Sequence, residues 1–133
     1  MKELLERNTQ IINELNSRID ATFETRSRSE ADWAEWQRAC DEFHSRYDAL
    51  AFPGGEQNAY ERLKAGDIAT AEKAIQFLEL HPYFFRSQYI STQLVRLLKK
   101  LKLPAELQSR FDAILAATRE RRARRQSRRT RDI

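Results

Sequence analysis

Trp33, Trp36, Cys40, Phe43, Tyr47 and Leu50 follow one another at spacings of 3, 4, 3, 4 and 3 residues. Only a helix gathers side chains of that period into one continuous stripe, so this segment predicts a long amphipathic helix. Trp33 and Trp36, as neighbours on the stripe, are both expected to be largely shielded from water. The helix must stop at Phe52-Pro53-Gly54-Gly55, because Pro53 disfavours helix in the residue before it and the glycines release the backbone. Ser29 is a natural N-cap for its start, with Asp32 three residues further on.

The same period organises the rest of the chain. Leu5, Ile12 and Ile19 recur every seven residues, with Leu15 and Thr22 between them, Asn8 as the polar exception and Phe23 thickening the end. This is a narrow seam of the coiled-coil type over residues 2–25. It can pack within the chain or against a second copy, which leaves a homodimer open. A short helix is predicted over residues 58–65, with Tyr60 and Leu63 inward. Gly66 then ends it, and Asp67 caps a helix running to about Leu80 that buries Ile68, Ala71, Ile75 and Leu78.

His81-Pro82 breaks that helix, and Pro82 can serve as the first residue of the next. Its apolar face is Tyr83, Ile90, Leu94, Leu97 and Leu101, widened by Phe84, Val95 and Leu98. Leu103-Pro104 opens the last helix, with Leu107, Phe111, Ile114 and Leu115 inward. No segment alternates with period two. The expectation is an all-α single domain of five to six helices over residues 1–118. In it a long N-terminal helical hairpin packs on a smaller bundle. Residues 119–133 are expected to form a flexible arginine-rich tail, because like charges at that density resist helix.

Composition narrows the class. At 41% hydrophobic and 33% charged residues, the chain is neither collagen-like nor globally disordered. The start, Met1-Lys2-Glu3-Leu4-Leu5-Glu6, carries acids where a signal peptide needs a basic start and an apolar block. The longest stretch without a formal charge, Ser87 to Val95, is too short to span a bilayer. A lone cysteine, Cys40, fits a reducing compartment. These point to a cytoplasmic protein with no membrane partner.

Charge is divided along the chain. Residues 1–79 hold 10 basic and 16 acidic side chains, a net of −6, whereas residues 119–133 hold eight arginines and two acids, a net of +6. Such a split suggests a charged partner at one end or the other.

No catalytic constellation is present. His44 and His81 lack metal-ligand spacing from Cys40, and Pro53-Gly54-Gly55 lacks the lysine and strand of a phosphate loop. No catalytic residue, metal ligand or cofactor is therefore assigned, which leaves binding as the expected activity. Three regions carry candidate residues. Glu35, Asp41, Glu42 and Asp48 lie on the second helix, away from the Trp33 stripe, and offer an acidic surface to a basic protein. Arg121, Arg122, Arg124, Arg125, Arg128 and Arg129, within a run that also holds Arg119 and Arg131, offer guanidinium forks to phosphates. Tyr83-Phe84-Phe85-Arg86-Ser87-Gln88-Tyr89, followed by Arg96, Lys99, Lys100 and Lys102, interleaves aromatic with basic residues. Tyr83 and Phe84 are expected in the core, which leaves only part of that cluster for a ligand. Arg86 reads as structural: half-buried after three aromatics, it needs a carboxylate from Glu79, Asp48 or Asp67.

Four motifs carry a family resemblance. Phe43-His44-Ser45-Arg46-Tyr47-Asp48-Ala49-Leu50-Ala51-Phe52-Pro53-Gly54-Gly55, then Gly66-Asp67, then Phe77-Leu78-Glu79, then Pro82-Tyr83-Phe84-Phe85-Arg86-Ser87-Gln88-Tyr89 resemble a family of small bacterial all-helical proteins without an assigned enzymatic activity. The resemblance covers residues 43–115, and its motifs are structural, among them Pro53, Gly54, Gly55 and Arg86. Gln88 stands where the family pattern has glycine. Size, helical class and acidic surface together lead to the expectation of an immunity or antitoxin-type protein that neutralises a basic toxin. The alternative is a nucleic-acid-binding accessory protein that uses the arginine-rich C-terminus.

Overall fold

The computed structural model describes the backbone of residues 1–131 and the side chains of residues 1–129; Asp132 and Ile133 of the predicted tail, with the Arg131 side chain, lie outside them. Among the described residues the chain forms six α-helices and no strand: α1 Lys2–Thr25, α2 Glu30–Ala51, α3 Glu56–Lys64, α4 Ile68–Leu80, α5 Ser87–Leu98 and α6 Ala105–Arg131. The all-α expectation holds. Two compact units result, residues 1–101 with α1 to α5, and residues 102 onward with α6. No helix among the described residues is long and apolar enough to cross a membrane.

In the first unit α1 and α2 form a long antiparallel hairpin, joined by residues 26–29. Ser29 caps α2 as expected, its hydroxyl accepting the Asp32 N–H at 3.0 Å. The heptad seam packs inside the chain: Leu5, Ile12 and Leu15 are buried together with Asn8, and α1 lies along α2 and touches α4. Phe23, expected to thicken the seam, is instead exposed. At that end of the helix it lies beside Trp36 at 6.2 Å and beneath the Arg26 guanidinium at 3.4 Å.

The stripe of α2 is less buried than expected. Ala39, Phe43 and Ala51 are its buried residues, whereas Trp36, Cys40, Tyr47 and Leu50 are half-buried and Trp33 is 44% exposed. The shielding expected for Trp33 is therefore wrong. Among the described residues the buried indole N–H of Trp36 has no hydrogen-bond partner, a cost of roughly 1–3 kcal/mol.

After α2, Phe52 is extended and buried, and Gly54 and Gly55 turn the chain with φ of 85° and 100°. The Gly55 N–H closes the turn on the Phe52 carbonyl at 2.9 Å. α3 ends in a Schellman pattern, with Gly66 N–H on the Leu63 carbonyl and Asp67 N–H on the Arg62 carbonyl, both at 3.0 Å. Gly66 has the φ of +83° that this ending needs. Asp67 caps α4, and the Thr70 hydroxyl donated to its carboxylate holds that group below its ordinary pKa.

Ala71, Ala74, Ile75, Phe77 and Leu78 are buried along α4, whereas Ile68, expected inside, is exposed at the first turn. Burial of each large side chain contributes about 1.5–3 kcal/mol. Phe77 links Phe52, at 5.7 Å between ring centroids, to Phe84 at 6.3 Å.

Pro82 does not open α5. His81 ends α4 in the left-handed region, and residues 82–86 form a connection before α5 starts at Ser87. The reason is that Phe84 alone turns into the core. Ser87 locks that geometry by accepting the Phe84 N–H on its hydroxyl at 3.1 Å and donating its own N–H to the Phe84 carbonyl at 3.0 Å. Tyr83, expected on the buried face, is 88% exposed.

The second unit corrects the tail. α6 does not end near Thr118 but continues to Arg131. Arginine is a strong helix former, no Gly or Pro follows Pro104, and long side chains splay their charges outward. Glu120 adds an i,i+4 pair with Arg124 at 4.0 Å. Leu107 and Phe111 are buried and Ile114 and Leu115 half-buried, whereas residues 119–129 are exposed.

Candidate functional site

The connection between α4 and α5 presents apolar surface on a fixed backbone. Tyr83, Phe85 and Tyr89 are 88%, 51% and 45% exposed, with Arg86 exposed among them. Tethers from two other helices hold the segment: the Asn13 amide donates to the Tyr83 carbonyl at 3.2 Å, and the Tyr47 hydroxyl to the Phe85 carbonyl at 2.6 Å. Phe84 and Ser87 are buried between the exposed residues and pin the chain from beneath. The Phe85 ring meets the edge of Phe43 at 5.7 Å, so one side of it is already supported.

Arg86 is not the half-buried, carboxylate-paired residue that was expected. It is exposed, and its guanidinium lies over the Tyr89 ring at 4.5 Å, so a cation–π contact replaces the ion pair. Its backbone is left-handed, φ 66°, the conformation that lets Phe84 point in while α5 starts. An arginine there costs about 1 kcal/mol or more. Arg86→Gly should therefore raise the melting midpoint by a few degrees or leave it unchanged in a thermal denaturation. A clear drop would restore a structural role to the guanidinium.

Beneath the loop lies a buried polar group. Glu56 is buried at the start of α3 and accepts the Tyr60 hydroxyl at 2.9 Å. Burial raises the Tyr60 pKa well above that of free tyrosine, and the bond to Glu56 raises it further. Tyr47 is pushed up to about 12, chiefly by burial and secondarily by the Glu56 charge, with Arg86 opposing. In the unfolded chain tyrosine ionises near 10. The fold thus favours the neutral phenols, and the corresponding stability is fully present below pH 10 and lost as pH rises toward 12. Urea unfolding midpoints should fall across that window, and Tyr47→Phe should flatten part of the fall.

The four acidic candidates do not form one patch. At about 100° per residue, Glu35 and Glu42 share one line of α2 and Asp41 and Asp48 another, about 120° away. Glu42 is engaged within the first unit, accepting Arg18 of α1 at 2.7 Å and Arg46 at 3.3 Å. Asp48 has a local task that its spacing did not reveal: its carboxylate accepts the Gln57 N–H at 3.1 Å and so caps α3 across the Pro-Gly-Gly turn. Loss of such a cap costs about 1 kcal/mol, and Asp48→Ala should lower the melting midpoint accordingly. Glu35 and Asp41 remain exposed.

Of the structural motif, Pro53 and Gly54 make the turn, and Gly55 is required at its place because an added Cβ would lie 2.8 Å from the Asp48 carboxylate. The arginine candidates are brought together by helix geometry. Arg121, Arg122, Arg124, Arg125, Arg128 and Arg129 fall within an arc of about 160° around α6. Arg96, Lys99, Lys100 and Lys102 are exposed.

His44 and His81 are exposed, Cys40 is a half-buried free thiol, and the described residues hold no group of three or more metal-ligating side chains. A shallow open groove along α1 is lined by Glu6, Thr9, Gln10, Asn13, Glu14 and Ser17. Comparison with family models, curated proteins and solved structures finds no significant match to this chain.

Proposed function

We propose that this chain is a non-enzymatic protein-binding module whose contact surface is the loop carrying Tyr83, Phe85, Arg86 and Tyr89. The observation behind this reading is exposed rings on a backbone hydrogen-bonded to two other helices. Tyrosine and arginine dominate binding energy at protein interfaces, and a backbone tethered at Tyr83 and Phe85 loses little freedom on docking. Large apolar rings held out in water by a fixed scaffold are costly unless a partner covers them.

The finer reading is an immunity or antitoxin-type protein that takes a basic toxin domain as its partner. The −6 net charge of residues 1–79, with Glu35 and Asp41 exposed, would steer a basic partner toward the molecule.

The test uses two full-length baits against the proteome of the host cell, wild type and the Tyr83→Ser/Phe85→Ser/Tyr89→Ser variant. A protein that copurifies in stoichiometric amount with wild type only, while both baits melt alike, supports the loop as contact surface. Expression of the captured protein alone should then arrest growth, with relief on coexpression of the wild type. If the triple variant retains every stoichiometric partner, the loop is not the contact surface. If the captured protein is harmless when expressed alone, the immunity reading fails while the protein-binding reading stands.

A further inference from the structure

The arginine run of α6 is a charged surface that the loop does not account for. Between Arg119 and Arg129 seven arginines are set on a continuous, exposed helix. At a rise of about 1.5 Å per residue, and with Glu120 offsetting one arginine, this is roughly one net positive charge per 2.5 Å of helix axis. Duplex DNA carries about one negative charge per 1.7 Å. The two linear densities are opposite in sign and of the same order.

Arg121 also reaches the Thr118 hydroxyl at 3.4 Å, Arg119 the Leu115 carbonyl at 3.4 Å, and Arg124 pairs with Glu120. For Arg122, Arg125, Arg128 and Arg129 no ion pair is found among the described residues.

We infer that the C-terminal half of α6 is a binding surface for duplex nucleic acid, seated in the major groove of B-form DNA with its arginines reaching the flanking phosphates. The diameter of an α-helix, about 10–12 Å, fits a groove about 12 Å wide. A 160° arc of arginines can address both phosphate walls at once. Besides arginine, only Gln126 in this segment is of a type that reads a base edge by bidentate contact, so binding is chiefly through the backbone and largely independent of sequence.

Residues 119–129 contain no Leu, Ile, Val, Phe, Tyr or Trp. A helix that lies on a membrane needs an apolar face to insert, so an anionic bilayer is the poorer match.

The inference is independent of the loop and stands or falls separately. The experiment is fluorescence anisotropy of a labelled duplex DNA of about 20 base pairs with the full chain. The comparison is with a variant carrying Gln at 121, 122, 124, 125, 128 and 129, and with a second variant carrying Lys at the same six positions. Six neutralised phosphates give a slope of log K against log salt of about −5, hence a loss of about 10³-fold between 50 and 200 mM salt. The Gln variant should lose that salt dependence and about 10³-fold of the low-salt affinity, and the Lys variant should keep most of both. Circular dichroism checks that the variants remain folded.

A Gln variant that binds like wild type overturns the inference, as does a wild-type slope shallower than about −2. So does tighter binding to polyglutamate, to single-stranded RNA or to phosphatidylserine vesicles than to the duplex.

Discussion

Phe77→Ala should lower the melting midpoint by roughly 10–20 °C in a thermal scan followed at 222 nm. Phe77 is fully buried in α4 and stands between Phe52, which anchors the turn after α2, and Phe84, which anchors the loop before α5. Removal of a buried phenyl group costs about 3–5 kcal/mol, from lost transfer energy and the cavity left behind. For a chain of this size each kcal/mol corresponds to roughly 3–4 °C. The loss should also reach the candidate surface, because Phe84 holds Tyr83 and Phe85 outward. Phe77→Leu, which refills most of the space, should recover more than half of the stability. Equal melting of Phe77→Ala and wild type would show that the ring relay is not the core of the first unit.

Gly55→Ala should cost about 3 kcal/mol, more than Gly54→Ala, although both glycines have positive φ. At Gly54 the added methyl meets nothing closer than the Asn58 amide at 4.0 Å, so only backbone strain of about 1 kcal/mol is paid. At Gly55 the methyl would lie 2.8 Å from the Asp48 carboxylate, which must move and give up its bond to Gln57. Strain, clash and a lost helix cap then add. The two effects are separable by a double-mutant cycle in denaturant. In an Asp48→Ala background the cost of Gly55→Ala should shrink by the clash and the lost cap, leaving the backbone strain of φ 100° and ψ 137°. Unchanged cost in that background would mean that the strain belongs to the backbone alone.

These two positions also show where inference from sequence ended. The Pro-Gly-Gly break, the Gly66 ending, the Ser29 and Asp67 caps and all six helices were legible, because backbone sterics and capping are local and act within a few residues. Ile90, Leu94, Phe43, Tyr60, Leu63, Ile75 and Leu78 were legible as core for a related reason: a helix buries its apolar period wherever it packs.

Tyr83, Trp33, Phe23 and Ile68, expected on buried faces, are exposed, since periodicity assigns a face but cannot say how far a neighbouring helix extends over it. Asp48 sits nine residues from Gln57, and only the turn that brings α3 back beside α2 makes it a cap. Glu42 became part of the hairpin for the same reason, once α1 brought Arg18 within reach.

The sequence by itself determined the all-helical class, the turns at Pro53-Gly54-Gly55 and Gly66 and the arginine density of the C-terminus, because each follows from steric or charge rules that act along the chain. Only the tertiary structure decided that the aromatic-arginine segment faces water on a tethered backbone, because burial depends on where helices distant in sequence come to rest.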